Sequence, residues 1–311
     1  MKKSILIILF YIFLLVSCNS KILNKEKKLK VVTTIFPIYD FTKNIIGDND
    51  IDLQMIVKPG TEIHSFNATP SDIIDIQNCD VFIYIGGESE IFADKVINSI
   101  YTNNKKIVKL LDYVVALDEE IIEGMENTDD DDHTEHIYDE HIYTSPKNAI
   151  LIVDAIAKTM QEVDIKNADT YKANAKKYNE QIEILDNKIR KIIDSSKRKI
   201  IVFGDRFPFR YLVNEYNLEY RAPFTGCSSQ VDVSPKTISY LIKYINDNNI
   251  PYLFTIELSN EKIVNTLVEQ TGAKKLKLHS AQNISREEFN SGIGYLDIIN
   301  DNIKSLEIGL N

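Results

Sequence analysis

The sequence predicts an α/β protein built as two lobes with parallel-rich sheets, joined by one long rigid helix. Three observations predict it. Short, β-branched apolar runs alternate with segments of helical spacing as far as about residue 165. Such alternation gives parallel strands linked by right-handed crossovers. Residues 168–196 then contain no Pro or Gly and carry one continuous apolar stripe. After Lys199 the alternation restarts. A chain of 311 residues has room for two domains at ~100–200 residues each.

In the first lobe the strands are expected at 29–34, 51–57, 81–85 and 107–111. Helix starts are marked by a capping hydroxyl followed by Pro. Thr69-Pro70-Ser71-Asp72 adds a carboxylate at the third helical position, and Ser145-Pro146 and Ser234-Pro235 repeat the arrangement. Cys79 closes the helix beginning near Pro70 and reads as a core residue. In the connecting segment Tyr171, Ala175, Tyr178, Ile182, Leu185, Ile189 and Ile192 recur at steps of four and three. They form one face of a helix roughly 45 Å long at 1.5 Å per residue. A single such run between two α/β halves reads as an interdomain strut rather than a coiled-coil seam. The second lobe then reads strand 199–203, helix 207–216, strand 219–224, helix 235–248, strand 252–256, helix 260–271, strand 274–278 and a closing helix over about 287–308.

Composition narrows the functional classes. The chain is 44% hydrophobic and 26% charged, with a net charge of -10. These values exclude polytopic membrane, disordered and fibrous proteins. The acidic balance disfavours nucleic acid as a partner and is compatible with a cation. Three cysteines are too few for a disulfide scaffold.

The first residues read as a targeting segment. Met1-Lys2-Lys3 is positive, and the apolar run from Ile5 to Val16 is too short for a membrane helix, which needs ~20 residues. It ends in Leu15-Val16-Ser17-Cys18, which resembles a bacterial lipobox with Cys18 as the lipidated residue. The expected organisation is a lipoprotein signal peptide over 1–17, a tether over 18–28, an N-terminal α/β lobe over 29–165, a connecting helix over 166–197 and a C-terminal α/β lobe over 198–311. The expected location is extracytoplasmic, anchored to a bacterial membrane through lipid.

In open α/β sheets ligands bind outside the carboxyl ends of strands, so with two lobes the cleft between them is the expected site. Two of the five histidines lie where such a site needs them. His64 is in the loop Pro59-Gly60-Thr61-Glu62-Ile63-His64, leaving a strand, and His141 is in Asp139-Glu140-His141-Ile142-Tyr143, before a capped helix. Two convergent imidazoles are a usual base for a Zn²⁺ or Mn²⁺ site. Between them, 126–141 is an acidic, His-containing stretch with Asp129 to Asp132 consecutive and His133 and His136 following. It reads as a solvated, disordered loop.

Together these motifs resemble the metal-binding lipoproteins of bacterial ABC importers for zinc and manganese, the cluster A-I solute-binding family. Val31-Val32-Thr33-Thr34-Ile35-Phe36-Pro37-Ile38-Tyr39-Asp40 is similar to the family's first strand and turn. Pro59-Gly60 through His64 with Pro70-Ser71-Asp72 is similar to its first ligand loop. His141-Ile142-Tyr143 with Ser145-Pro146-Lys147-Asn148-Ala149 is similar to its second, with Tyr143 where Trp is usual. The resemblance implies a non-enzymatic, monomeric solute-binding lipoprotein with a metal site in the interlobe cleft. It would deliver an ion to an ABC permease and its ATPase. The acidic His-containing loop implies Zn²⁺ as the cargo, with Mn²⁺ or a metal chelate as the alternative. An adhesin and a secreted zinc hydrolase are the readings from other classes. The hydrolase lacks a His-Glu-x-x-His helix or a Gly-x-Ser-x-Gly elbow.

The sequence departs from the family pattern at two ligand positions. The third, within Gly204-Asp205-Arg206-Phe207-Pro208-Phe209-Arg210-Tyr211-Leu212, reads Arg206, and the fourth reads Gln282. A guanidinium stays protonated and coordinates no cation. The expected direct ligands are therefore His64, His141, Glu257 and Asp205, with Cys227, His279 and Gln282 behind them. Arg206 is expected to orient Glu257 or Asp205 from outside the coordination sphere.

Overall fold

A computed structural model describes residues 28–63, 66–102, 105–126, 137–228 and 232–311. The signal segment with Cys18, His64, and His133 and His136 lie outside the described residues.

The N-terminal lobe is one four-stranded parallel sheet in the order β2-β1-β3-β4, from β1 (Lys30–Thr33), β2 (Asp52–Met55), β3 (Val81–Tyr84) and β4 (Lys106–Lys109). Helices α1 (Phe36–Ile46), α2 (Pro70–Asn78) and α3 (Ile91–Ser99) connect them. Side-chain alternation fixes which face meets which layer. Val31, Val81 and Ile83 enter the central core, whereas Val32, Phe82 and Tyr84 pack outward with Ile76, Cys79, Ala93 and Val96. Cys79 donates its thiol to the Ile76 carbonyl at 3.1 Å, and burial pushes that thiol up to about 11. The predicted caps form: Thr69 and Asp72 make a reciprocal capping box, and Ser145 and Ser234 accept the Asn148 and Thr237 amides.

Helices α4 (Pro146–Val163) and α5 (Ala168–Ser195) follow. The buried face of α5 is Tyr171, Ala175, Tyr178, Ile182, Leu185, Ile189 and Ile193. The last step is four residues rather than three, so Ile193 is inside and Ile192 only half-buried. Each fully buried apolar side chain contributes roughly 1.5–3 kcal/mol, which makes this stripe a main tie between the lobes.

The C-terminal lobe contains β5 (Ile200–Val202), β6 (Arg206–Phe207), α6 (Arg210–Tyr216), β7 (Glu219–Arg221), β8 (Phe224–Thr225), α7 (Pro235–Asp247), β9 (Tyr252–Thr255), α8 (Lys262–Thr271), β10 (Lys274–Lys277), α9 (Arg286–Asn290) and α10 (Tyr295–Gly309). Its pairs β5–β7, β9–β10 and β6–β8 are parallel. A parallel bridge between Phe203 and Phe254 joins the first two. Two expectations change here. The helix expected from residue 207 begins at Arg210, because Arg206 and Phe207 pair with β8 instead. The single closing helix is two, since Gly292 takes a left-handed φ of +81° and Asp297 accepts the Gly294 amide at 3.0 Å to start α10.

The lobes and the strut meet at Asp40 on α1. Its Oδ2 accepts from Tyr178 Oη of α5 at 2.9 Å and from the Tyr295 amide of α10 at 3.0 Å. Gly294 packs closely beside it, and a Cβ there would stand 3.2 Å from Asp40 Oδ1 and press on the carboxylate. Burial raises the Asp40 carboxyl above its usual range, and the two donors oppose that rise. Asp40→Ala strands a buried hydroxyl and a buried amide, so we expect a loss of about 2–4 kcal/mol of stability in urea unfolding. A loss below about 0.5 kcal/mol would show that the three elements do not depend on this carboxylate.

Candidate metal centre

The carboxyl ends of the strands in both lobes face one cleft. Its lining includes Glu62 and Ile63 from the loop after β2, Arg206 of β6, Gly226, Glu257 after β9 and Gln282 after β10. His64, which follows Ile63 in the sequence, is outside the described residues.

His141 is fully buried, and several short contacts explain how an exposed-looking sequence segment holds it. Residues 117–119 run antiparallel to 137–139: the Glu119 amide donates to the Ile137 carbonyl at 2.8 Å and the Asp139 amide to the Leu117 carbonyl at 2.8 Å. Tyr211 of α6 donates to the Asp139 carbonyl at 2.7 Å. Asp139 Oδ1 then lies 2.8 Å from the His141 amide and 3.1 Å from His141 Nδ1. Across the imidazole sits Gly226, where a Cβ would come within 2.9 Å of His141 Cε1. No larger residue fits there without moving the ring. Burial pushes the imidazole down, but Asp139, with help from Glu140 and Glu119, outweighs it and holds His141 up at about 9.

The expected acidic loop is thus not solvated throughout. Asp139 and Glu140 are only 1% and 3% exposed, because the 117–119 pairing pulls them under the C-terminal lobe. Glu126, at the other end, accepts the Ser234 amide at 2.7 Å. Residues 127–136 are outside the described residues.

The remaining sequence-selected residues divide by what already holds them. Glu257 is 7% exposed in its side chain. It accepts the Ser280 amide through Oε2 at 2.7 Å and the Ser280 hydroxyl through Oε1. Asp205 accepts the Arg206 amide at 2.9 Å, and Thr255 and Ser259 hydroxyls on its other oxygen. Burial raises its carboxyl above the usual range. Arg206 reaches across the cleft to Glu62 at 3.3 Å, rather than directing its guanidinium to Glu257 or Asp205. Cys227 donates its amide to Glu119 Oε1 at 2.9 Å, and burial, then Glu140, Glu119 and Asp139, push its thiol well up. His279 Nδ1 accepts the Ala281 amide at 2.9 Å and lies 3.4 Å from Glu257 Oε2. Its Nε2 is buried without a hydrogen-bond partner among the described residues. Gln282 lines the cleft beside Glu257.

Among the described residues no three His, Cys, Asp or Glu side chains converge closely enough to hold a metal. The cleft brings Arg206, Glu257, Gln282 and the start of the His64 segment together, and places His141 behind Gly226 and Cys227. Sequence reasoning missed Asp139 and Glu119 as the groups that orient His141 and Cys227. The signal available for Asp139 was its position two residues before the imidazole.

The chain matches the family described as zinc-uptake complex component A, periplasmic (ZnuA), over residues 31–309. It is 29% identical over 320 residues to the zinc-binding protein AdcA of Streptococcus pyogenes, covering 99% of this chain and 62% of that relative. The chain therefore spans less than two thirds of the length of the streptococcal protein. It is 29% identical over 292 residues to the high-affinity zinc uptake system protein ZnuA of Bacillus subtilis, covering 92% and 89% of the two chains. The solved Zn(II)-bound ZnuA-like domain of Streptococcus pneumoniae AdcA superposes with a TM-score of 0.75 at 25% identity, covering 91% of this chain and 99% of that one. The two-lobed fold, the strand-end cleft and this match over nearly the whole described chain place the protein in the zinc-uptake complex component A family.

Proposed function

We propose that this chain captures a divalent transition metal, Zn²⁺ foremost, in the interlobe cleft and delivers it to an ABC importer. The observation that carries the reading is His141: a fully buried imidazole whose Nδ1 is held by a buried carboxylate. A carboxylate on one ring nitrogen fixes the orientation of a metal-ligating histidine and raises its basicity. Family membership and the relatives' zinc names support the choice of ion. His64 and His141 supply the imidazoles. Glu257 and Asp205 are the carboxylates at the cleft; they do not converge with His141 in the metal-free arrangement, so coordination by either requires it to leave its serine hydroxyl and move toward the ion. Lipid at Cys18 keeps the lobes at the membrane, and the protein works as a binding component rather than an enzyme.

Arg206 stands where the family resemblance puts a ligand. It acts instead as a clamp, tying Glu62 to β6. Glu62 is 48% exposed in its side chain, so this ion pair contributes under about 1 kcal/mol.

Zinc titration of the metal-free protein tests the reading. Removing a residue that only orients a ligand already costs about 10–100-fold in affinity, so His141→Ala and His64→Ala are each expected to weaken zinc binding by at least about 100-fold. Unchanged affinity in both variants removes this site. Arg206→His adds an imidazole at the cleft and is expected to tighten zinc binding about tenfold or more. An affinity no better than the parent's would place β6 out of coordinating reach.

The pH dependence has a definite sign. His141 is raised from 6.5 to about 9 in the fold, so its pairing with Asp139 stabilises the metal-free protein fully below about 6.5. That contribution is lost as pH rises through about 9. Zinc takes the unprotonated ring. Its affinity should therefore climb between pH 6.5 and 9, by up to about tenfold per pH unit, with a proton released. Calorimetry in buffers of different ionisation enthalpy measures both, and an affinity flat across this range contradicts the assignment.

A further inference from the structure

A second pocket, set off from the imidazole, contains only oxygen donors. Glu90, Glu140, Tyr143 and Gln282 line it, with apolar walls from Ile35, Ile63 and Ile85. Glu90 and Glu140 are 2% and 3% exposed. Each carboxylate spends one oxygen on backbone. Glu90 Oε2 accepts from the Ile85 and Gly86 amides at 2.7 and 2.9 Å, and Glu140 Oε2 from the Ser89 amide at 3.1 Å. The second oxygens, Glu90 Oε1 and Glu140 Oε1, and Tyr143 Oη are buried without a hydrogen bond of normal geometry among the described residues, the Thr34 hydroxyl standing near the Glu90 carboxylate.

Two carboxylates buried side by side, each with an unsatisfied oxygen, are costly unless a cation or its equivalent sits between them. No Lys or Arg lines the pocket, and the neighbouring positive group of the metal-free protein is the His141 ring beside Glu140. Two carboxylate oxygens, a phenol oxygen and an amide carbonyl make a hard donor set. It suits Mg²⁺, Ca²⁺ or Mn²⁺ better than a thiolate- or imidazole-seeking ion. Loop 85–90 supplies one carboxylate and the His141 segment the other, so an ion here would join two loops of the N-terminal lobe.

We propose that Glu90 and Glu140, with Tyr143 and Gln282, form an oxygen-donor site for a hard divalent cation beside the His141 site. His141, Glu257 and Asp205 do not line this pocket, so His141→Ala separates a failure of this proposal from a failure of the zinc reading. Glu140 and His141 are consecutive, which makes occupancy of one site felt at the other through charge.

Mn²⁺ serves as the probe, because the free ion's six-line paramagnetic resonance signal disappears on binding. The metal-free parent protein is expected to bind Mn²⁺. Glu90→Gln and Glu140→Gln should each weaken that binding at least tenfold, whereas His141→Ala should retain it while losing zinc. Thermal unfolding controls for the fold, and metal-free Glu140→Gln is expected to melt no lower than the parent, since it removes a buried charge. Manganese-edge anomalous scattering from parent crystals avoids the variants altogether, and should place a peak in contact with both Glu90 and Glu140. The proposal is overturned if the parent does not take up Mn²⁺, or if the Glu90→Gln/Glu140→Gln double variant binds it like the parent. It is equally overturned if only His141→Ala abolishes binding, or if the anomalous peak lies away from the two carboxylates.

Discussion

The buried carboxylate of Asp40 is the point on which the two lobes depend. It is contributed by the first helix of the N-terminal lobe, and it accepts one donor from the long helix and one from the last helix of the C-terminal lobe. Tyr295, whose amide it holds, sends its own hydroxyl to the Tyr143 carbonyl at 2.7 Å, two residues beyond His141. One chain of contacts therefore runs from the strut to the segment carrying the imidazole. The central core is continuous through both lobes and α5. Interiors packed in this way transmit displacement rather than absorb it. In the proposed function, uptake and release of an ion fall to the loops at the strand ends more than to a wide hinge.

Those loops carry a charge distribution that asks for a cation. Around His141 stand Asp139, Glu140 and Glu119, and their joint effect exceeds the burial that would otherwise neutralise the ring. The same field lifts Glu140 to about 8, through burial first and Glu90's charge among the rest, with His141 opposing. A proton is the small cation available to the metal-free protein, and a divalent ion competes with it for the same negative surroundings. The acidic excess of the chain is thus partly placed inside, beside an imidazole, rather than on the solvated surface. On the opposite wall Arg206 supplies fixed positive charge facing Glu62, which favours an ion held toward the N-terminal lobe.

The architecture was largely legible in the sequence because its signals are periodic. The stripe from Tyr171 to Ile189 follows helical spacing, the strands are compact β-branched runs, and Thr69, Ser145 and Ser234 announce their helices with a hydroxyl before Pro. What failed depended on partners distant in sequence. Arg206 and Phe207 pair with Phe224 and Thr225, and nothing local distinguishes that from a helix start. The break at Gly292 requires a left-handed residue that composition alone does not demand. Asp139 and Glu140 looked like the end of a solvated acidic run, and are buried because Leu117, Glu119 and Tyr211 reach them from elsewhere in the chain. At the candidate site, the loop carrying His141 and the Ser145 cap that follows it were legible because both are local features. The commitments of Glu257 to Ser280 and of Asp205 to Ser259 were not, since each joins separate strand ends.

The central claim is that the cleft carries the cargo ion on His141. Anomalous scattering at the zinc edge, from crystals of the zinc-loaded protein, tests it most directly. One dominant peak is expected at about 2.0–2.1 Å from an imidazole nitrogen of His141, between the lobes and beside the Glu62–Ile63 segment. A dominant peak bound elsewhere, with the His141 ring still enclosed by Gly226 and Asp139, would contradict it.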